Sequence, residues 1–289
     1  MSALRPHGAD LHLHTRFSDG AYTPEGLVAA ARDKQLAAIA VTDHDILDGV
    51  APARLAAGTE GPEVIAGVEF GVASDDDRPG ELHIVGLFLD PDSARLRAEL
   101  AAFRALRRER VLEMIERLNR CGVVLRPQQV FSLAAGDSVG RLHVARALVE
   151  VGHVKTIGAA FNHWLGVGKP GYVARTRPNA VEAIELIHAA GGVAIMAHPG
   201  QTQRDDQIAS LAAAGMDGIE AFSSDHTAGQ VAQYIEMAGA LGLLVSGGSD
   251  CHGHNKERAL IGTVRLDESR LEALRQRADA ISRRAPKAL

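Results

Sequence analysis

The sequence predicts an α/β chain whose seven short strands, mostly alternating with helices, form a parallel sheet closed or nearly closed as a barrel. Three observations predict it. Hydrophobic residues make up 46% of the 289, with only 4% aromatic, which is the Ala-, Val-, Leu- and Ile-rich mix that layered strands and helices require. Short apolar, β-branched runs recur between stretches of helical periodicity. Nearly every polar cluster falls at the C-terminal end of such a run, and in a parallel α/β barrel those ends share one rim.

The first strand reads as Asp10-Leu11-His12-Leu13-His14, followed by Thr15 and by Ser18-Asp19-Gly20. Alternate side chains of a strand face opposite ways, so His12 and His14 form a two-imidazole claw with Leu11 and Leu13 on the other face. A half-exposed edge strand with two solvated histidines has the same spacing, and the rest of the chain decides between the two. Thr23-Pro24-Glu25 opens a helix with an apolar face of Leu27, Val28, Ala31 and Leu36. Residues 38–42 form a buried strand ending in Asp43-His44-Asp45, residues 64–68 one ending in Glu69, and residues 82–88 one with His83 near its start.

From residue 90 to residue 176 the alternation lapses. Leu100, Phe103, Leu106, Val111, Met114, Ile115 and Leu118 mark one long amphipathic helix that Gly122 ends, with shorter helical pieces at 142–149 and 157–165. This places an inserted, mainly helical subdomain at 91–176 and the barrel at 1–90 and 177–289. A helix at 178–190 leads to a strand at 193–197 ending in His198-Pro199-Gly200. A strand at 218–222 ends in Ser223-Ser224-Asp225-His226, and one at 243–246 in Gly247-Gly248-Ser249-Asp250-Cys251-His252. The tail from 282 to 289 reads as disordered.

A net charge of −5 gives no global attraction to nucleic acid or anionic membrane, so a polyanionic substrate needs a local cationic site. Cys121 and Cys251 form neither a metal pair by spacing nor a disulfide framework. No apolar run has the length of a signal peptide or membrane helix. A soluble cytoplasmic chain, with no membrane contact and no obligate protein partner, is the expectation.

Five ordered motifs carry a resemblance: His12-Leu13-His14 with Asp19, Thr42-Asp43-His44-Asp45, Glu69, Ala197-His198-Pro199 and Gly248-Ser249-Asp250-Cys251-His252. Over residues 9–90 and 180–265 the chain resembles the polymerase and histidinol phosphatase (PHP) family of metal-dependent phosphoesterases. The resemblance implies a distorted (β/α)7 barrel holding two or three divalent ions, most often Mn2+, with Zn2+ or Fe2+ also seen. Position by position it implies His12, His14, Glu69 and Asp250 around one ion, Glu69, His83 and His198 around a second, and Asp19, His44 and His252 around a third. Mixed imidazole and carboxylate donors suit such metals, and a bridged pair lowers the pKa of a shared water until hydroxide can attack phosphorus. Asp19, His44, Glu69, His198 and Asp250 are the expected catalytic residues. His226 is read as a phosphate contact or proton donor, and equally as a solvated loop histidine. His83, early in its strand, also fits a core histidine. Asp43 and Asp45 are read as orienting imidazoles, Glu220 as a structural acceptor and Cys251 as packing.

The insert supplies local positive charge: between Arg95 and Arg120, eight arginines stand against four glutamates. Arg104, Arg107 and Arg108 are read as one face, joined by Arg141, His143 and Arg146, and by Lys169 in a Gly-rich turn. A solvated face laced with glutamates is the alternative. The insert resembles that of the branch containing 3′,5′-nucleotide bisphosphate phosphatases and enzymes acting on short RNA 5′ ends. This implies a nucleotide gripped by Arg104, Arg108, Arg141, His143 and Lys169, with its base on Phe103, Phe131 or Tyr172. The expected activity is removal of the 3′-phosphate from a nucleoside 3′,5′-bisphosphate such as adenosine 3′,5′-bisphosphate. The alternatives are a 5′-to-3′ exoribonuclease on short RNA, a histidinol-phosphate-type phosphomonoesterase, and a non-catalytic, metal-stabilised interaction module.

Overall fold

A computed structural model describes residues 7–73, 82–134, 136–174, 178–253 and 260–284. Strands β1 (Ala9–Leu13), β2 (Ala38–Val41), β3 (Glu63–Val72), β4 (Leu82–Leu87), β5 (Val193–Met196), β6 (Gly218–Ser223) and β7 (Leu244–Gly248) pair in sequence order. The sheet then curls until its ends meet: His14 N–H donates to Cys251 O at 3.1 Å, and Leu13 bridges Cys251 in parallel. Gly248 permits this closure, because a Cβ there would lie 2.3 Å from His12 Cβ.

Inside the barrel, Leu11, Ala38, Ala40, Ile65, Val85, Val193 and Ile195 pack with Leu271 and Leu274 of α11 (Glu268–Ser282) as one cluster. Outside, Leu13, Ile39, Val41, Phe70, Ile84 and Met196 pack against α1 (Pro24–Asp33), α2 (Val50–Ala57), α7 (Ala180–Ala189) and α10 (Ala228–Leu241). Short helices α8 (Pro199–Thr202) and α9 (Ile208–Ala213) join β5 to β6. The starts follow local chemistry. Thr23 caps α1 through Gly26 N at 3.0 Å, and Asn179 and Glu182 form a reciprocal capping box at α7.

Two expectations are corrected. Leu11 and Leu13 do not share a face: the register moves three residues along β1 for two along β2 between Asp10 and Leu13. This extra residue puts Leu11 in the inner cluster and Leu13 in the outer one, while His12 and His14 both reach the interior rim. Nor is the sheet wholly parallel, since β4 runs antiparallel to both β3 and β5. Only residues 73–81 separate β3 from β4, fewer than a crossover needs, so the chain must turn back. The reversal carries the start of β4, with His83, to the rim where the other strands end.

The insert comprises α3 (Ala94–Arg120), α4 (Pro127–Phe131), α5 (Arg141–Glu150) and α6 (Ile157–Ala160), which runs into a π-helical turn at Phe161–Leu165. Leu96 and Leu100 of α3 join the outer barrel cluster, whereas Val111, Met114, Ile115 and Leu118 form a separate core with Val130, Val144, Leu148 and Leu165. One helix thus belongs to both packing units. It stops at Cys121, where Gly122 takes φ +84.

Among the described residues no helix is long and apolar enough to cross a membrane. The expectation of disorder from 282 is corrected at its start, since α11 runs through Ser282 with Arg283 as its C-cap; residues 285–289 lie outside the described residues.

Candidate metal centre and the cavity beside it

The strand ends deliver nine side chains into one rim. Asp45, His198 and Asp250 take φ of 54, 29 and 53, a left-handed backbone that non-glycine residues adopt at a cost. These kinks turn the chain sharply where β2, β5 and β7 end. Three groups of donor atoms result, each within 4.8 Å: His12, His14, Glu69 and Asp250; Glu69, His83 and His198; and His14, Asp19, His44 and His252.

Glu69 is the centre. Its Oε1 lies 2.6 Å from His83 Nδ1 and 3.1 Å from His198 Nε2. Its Oε2 lies 3.3 Å from His12 Nε2, 3.2 Å from His14 Nε2 and 3.1 Å from His44 Nδ1. Asp250 Oδ1 completes the first group at 3.5 Å from His12 Nε2 and 3.2 Å from His14 Nε2. In the third, Asp19 Oδ1 lies 3.3 Å from His252 Nε2 and 3.8 Å from His14 Nδ1.

These side chains fit a metal. Donors bound tetrahedrally at about 2.0–2.2 Å around one ion stand roughly 3.3–3.6 Å apart, close to the 3.2–3.5 Å between donors of the first group. Among the described residues, His12 Nε2, His14 Nε2, His44 Nδ1 and His198 Nδ1 are buried with no hydrogen-bond partner, an arrangement that costs free energy unless something else binds them.

The charges respond to this crowding. Burial alone would raise Glu69, but His44, His83 and His12 hold its carboxyl well below the usual range. Asp19 behaves alike, with burial outweighed by His252 and His44. Burial disfavours the proton on His14, yet Asp250 and Glu69 push its imidazole up to about 10. For His44 burial prevails and lowers it to about 3.

Glu220, read as a structural acceptor, does a specific task. Its Oε2 accepts from His12 Nδ1 at 2.7 Å, fixing the ring so that Nε2 faces Glu69 and Asp250. Glu220→Ala is expected to weaken metal binding by about 10- to 100-fold with the fold retained, while Glu220→Gln loses less; titration of the ion-free protein checks both. Asp43 and Asp45, read as orienting imidazoles, hold other groups as well. Asp43 accepts from Thr15 N at 2.7 Å, from Thr15 Oγ1 at 2.6 Å and from Ser18 Oγ at 2.6 Å, and so holds the loop after β1. Asp45 pairs with Arg107. Cys251 is fully buried in the outer cluster, as its alternation with Asp250 and His252 indicated.

Above the rim lies a cavity of about 290 Å³ lined by Asp19, His44, Glu69, His83, His198 and Asp250, with Leu142, Phe161 and Gln201 over them. A second, of about 140 Å³, opens beside it between Asp19, His44 and His83 on one wall and Arg107, Arg110 and Arg141 on the other. A larger hollow of about 480 Å³ at the strand starts, near His7 and Glu63, holds none of the nine side chains, and its Arg275 is committed to Glu63 at 2.9 and 2.6 Å.

Of the residues expected to grip substrate, Arg141 and His143 line the small cavity. The others do not. Arg104 Nη1 donates to Asp45 O at 2.9 Å, and Arg108 lies over the Phe131 ring at 4.1 Å in a separate hollow with Phe17 and Asp48. Lys169 is exposed and lines neither cavity. His143 has both nitrogens engaged: Nδ1 accepts from Gly140 N at 3.1 Å and Nε2 donates to Ser18 O at 2.9 Å. His226 lies outside the three groups. Its Nε2 accepts from Gly200 N at 3.0 Å and its Nδ1 donates to Ala221 O at 2.9 Å. Phe103 packs edge-on against Phe70.

Arg110 and Phe161 were missed; Arg107, read as one face with Arg104 and Arg108, was not among the residues expected to grip substrate, although a signal existed. It stands in the row of Leu100, Val111, Met114 and Leu118, where helical spacing calls for an apolar side chain. Arg107 is 9% exposed, its Nε donates to the buried Asp45, and its Nη2 is buried without a hydrogen-bond partner among the described residues.

Burial holds His143 down at about 4, against about 6.5 for a free imidazole. The unfolded chain takes a proton as pH falls through 6.5, whereas the folded one refuses it until about 4, so stability present above 6.5 is lost across that window. Replacing His143 by Gln keeps a donor and an acceptor but nothing to protonate. Unfolding by urea at pH 7 and pH 5 is expected to cost wild type about 2 kcal/mol more than His143→Gln between the two conditions.

A family model described as the PHP domain matches residues 10–157, just over half the chain. The chain belongs to the PHP-domain family. It is 36% identical over 249 residues to a 3′,5′-nucleoside bisphosphate phosphatase of Chromobacterium violaceum, covering 84% of this chain and 86% of that protein. It is also 36% identical over 248 residues to a 5′-3′ exoribonuclease of Haemophilus influenzae, covering 84% and 89%. Its fold is similar to a solved structure from Bifidobacterium adolescentis, with 30% identity, a TM-score of 0.85 and 94% and 96% of the two chains covered. It is similar, too, to an amidohydrolase of Chromobacterium violaceum solved with bound sulfate and no metal, at 33% identity, a TM-score of 0.82 and coverage of 93% and 96%. The PHP barrel is therefore the fold of this chain.

Proposed function

We propose that the protein is a metal-dependent phosphoesterase that removes the 3′-phosphate from a nucleoside 3′,5′-bisphosphate. The observation that carries this reading is the shared wall of two cavities. Asp19, His44 and His83 line both the cavity over the donor groups and the one bearing Arg107, Arg110 and Arg141. A substrate with two phosphates on one sugar suits that juxtaposition. The names of the bisphosphate phosphatase and exoribonuclease relatives support a nucleotide substrate.

In this reading His12, His14, Glu69 and Asp250 hold one ion, Glu69, His83 and His198 a second, and His14, Asp19, His44 and His252 a third. Bound Mn2+, or Zn2+ or Fe2+, would neutralise phosphoryl oxygens and lower the pKa of water. The protein's own groups do the rest. Glu220 fixes His12, and Glu69 shares its two oxygens between the groups. Arg141 and Arg107, which line the small cavity, hold the phosphate that is not cleaved, by charge-assisted bonds. Phe161, which lines both cavities, offers a ring face to the base and with Leu142 shields the site from water.

Phosphate release by the manganese-loaded protein tests this. Adenosine 3′,5′-bisphosphate is expected to turn over well, and 5′-AMP and 3′-AMP poorly. Equal turnover of all three would remove the role of the second phosphate. Stepwise release of nucleotides from a short 5′-phosphorylated RNA would move the assignment to the exoribonuclease, which its equal identity to this chain favours as the second reading.

A further inference from the structure

We propose that the helical insert positions the third donor group, so that seating the insert and filling that group are one coupled event. This rests on reading the three groups as metal sites. They differ in what holds them. In the first two, the donors stand on strands or at their ends and take partners from the barrel: Glu220 on β6 orients His12, and Glu69 lies between His83 and His198. The third adds Asp19, His44 and His252, which stand on the segments after β1, β2 and β7; His44 also bridges Glu69 of β3, so the loop of Asp19 and the outer side of His44 are what the barrel leaves least tied.

The insert takes the carbonyls of those loops. His143 Nε2 donates to Ser18 O at 2.9 Å, and Arg146 Nη2 donates to Asp19 O at 2.6 Å. Ser138 Oγ donates to His44 O, and Arg104 Nη1 to Asp45 O at 2.9 Å. Four side chains of one inserted segment therefore converge on four carbonyls, at the two donor residues and at a neighbour of each. Surface loops are the parts of a fold that move unless tied, whereas a metal tolerates donor errors of only about 0.2 Å. Removing the ties should loosen Asp19 and His44 and leave the strand-borne donors in place. Coupling is reciprocal, so an ion that draws Asp19 and His44 together must also draw the insert onto the barrel.

The test uses the full chain and Mn2+ alone as probe. Bound Mn2+ is counted after equilibrium dialysis over a range of free ion, in wild type and in Ser138→Ala/Arg146→Ala. Emission of Trp164, the protein's single tryptophan and part of the insert, is recorded through the same titration. The last step is expected to weaken by about 10- to 100-fold in the double variant with the earlier steps unchanged, and Arg146→Lys should retain most of it. In wild type, Trp164 emission should change at the last step. The proposal is overturned if the last step is unaltered, if every step weakens alike, or if Trp164 follows the first step. Should the double variant not fold, the wild-type Trp164 titration decides alone. Wild type that binds no Mn2+ would sink the metal reading itself, whereas normal binding indifferent to the insert would sink only this coupling.

Discussion

Glu69→Gln is expected to abolish phosphate release and empty the site while the chain stays folded. Five imidazoles lie around this one carboxylate, and its two oxygens face different donor groups. An amide keeps the shape but loses the charge and one acceptor oxygen. The loss in metal affinity should exceed the roughly 10- to 100-fold typical of an outer partner. The fold should survive, because imidazoles that lose a carboxylate can lose their protons rather than remain buried as bare charges. Metal content per chain, phosphate release and circular dichroism check the three parts. Retained metal with retained turnover would remove Glu69 from the centre of the site.

Arg141→Ala should lower kcat/KM for the bisphosphate by about 10- to 100-fold and leave an aryl phosphate within about twofold, since one charge-assisted hydrogen bond is worth roughly 1.5–3 kcal/mol. Equal losses on both substrates would mean that Arg141 acts on the cleaved phosphate or on the fold. Arg107→Ala is a different experiment. It also takes a cation away from the buried Asp45 carboxylate and so is expected to lower stability, which makes the urea midpoint its first readout. Adding Asp45→Asn should recover much of that stability without restoring recognition of the bisphosphate.

The site was more legible than the cavity beside it. Donors such as His12, His14, Glu69, His198 and Asp250 sit at strand ends, and strand periodicity with barrel topology sends such ends to one rim. Local pattern was therefore enough to bring together residues more than 230 positions apart. Recognition by the insert depends instead on helix rotation. Counting arginines located the right helix, but a rotation of one or two residues separates Arg107 and Arg110, which face the cavity, from Arg104 and Arg108, which do not. The buried row of Leu100, Val111 and Met114 defined that rotation and was the clue.

By itself the sequence determined the strand and helix order, the helical character of the insert and most of the residues that meet at the rim, because each follows from short-range periodicity and chain direction. Only the tertiary structure decided three further matters. The reversal of β4 turned His83 from an early-strand residue into a rim residue. The slip in β1 sent Leu11 inward beside two inward histidines. The seating of the insert chose which arginines face the site and which hold the loops of Asp19 and His44. Each depends on which surfaces exclude water from one another and where buried polar groups find partners, and those are contacts between segments that no local pattern encodes.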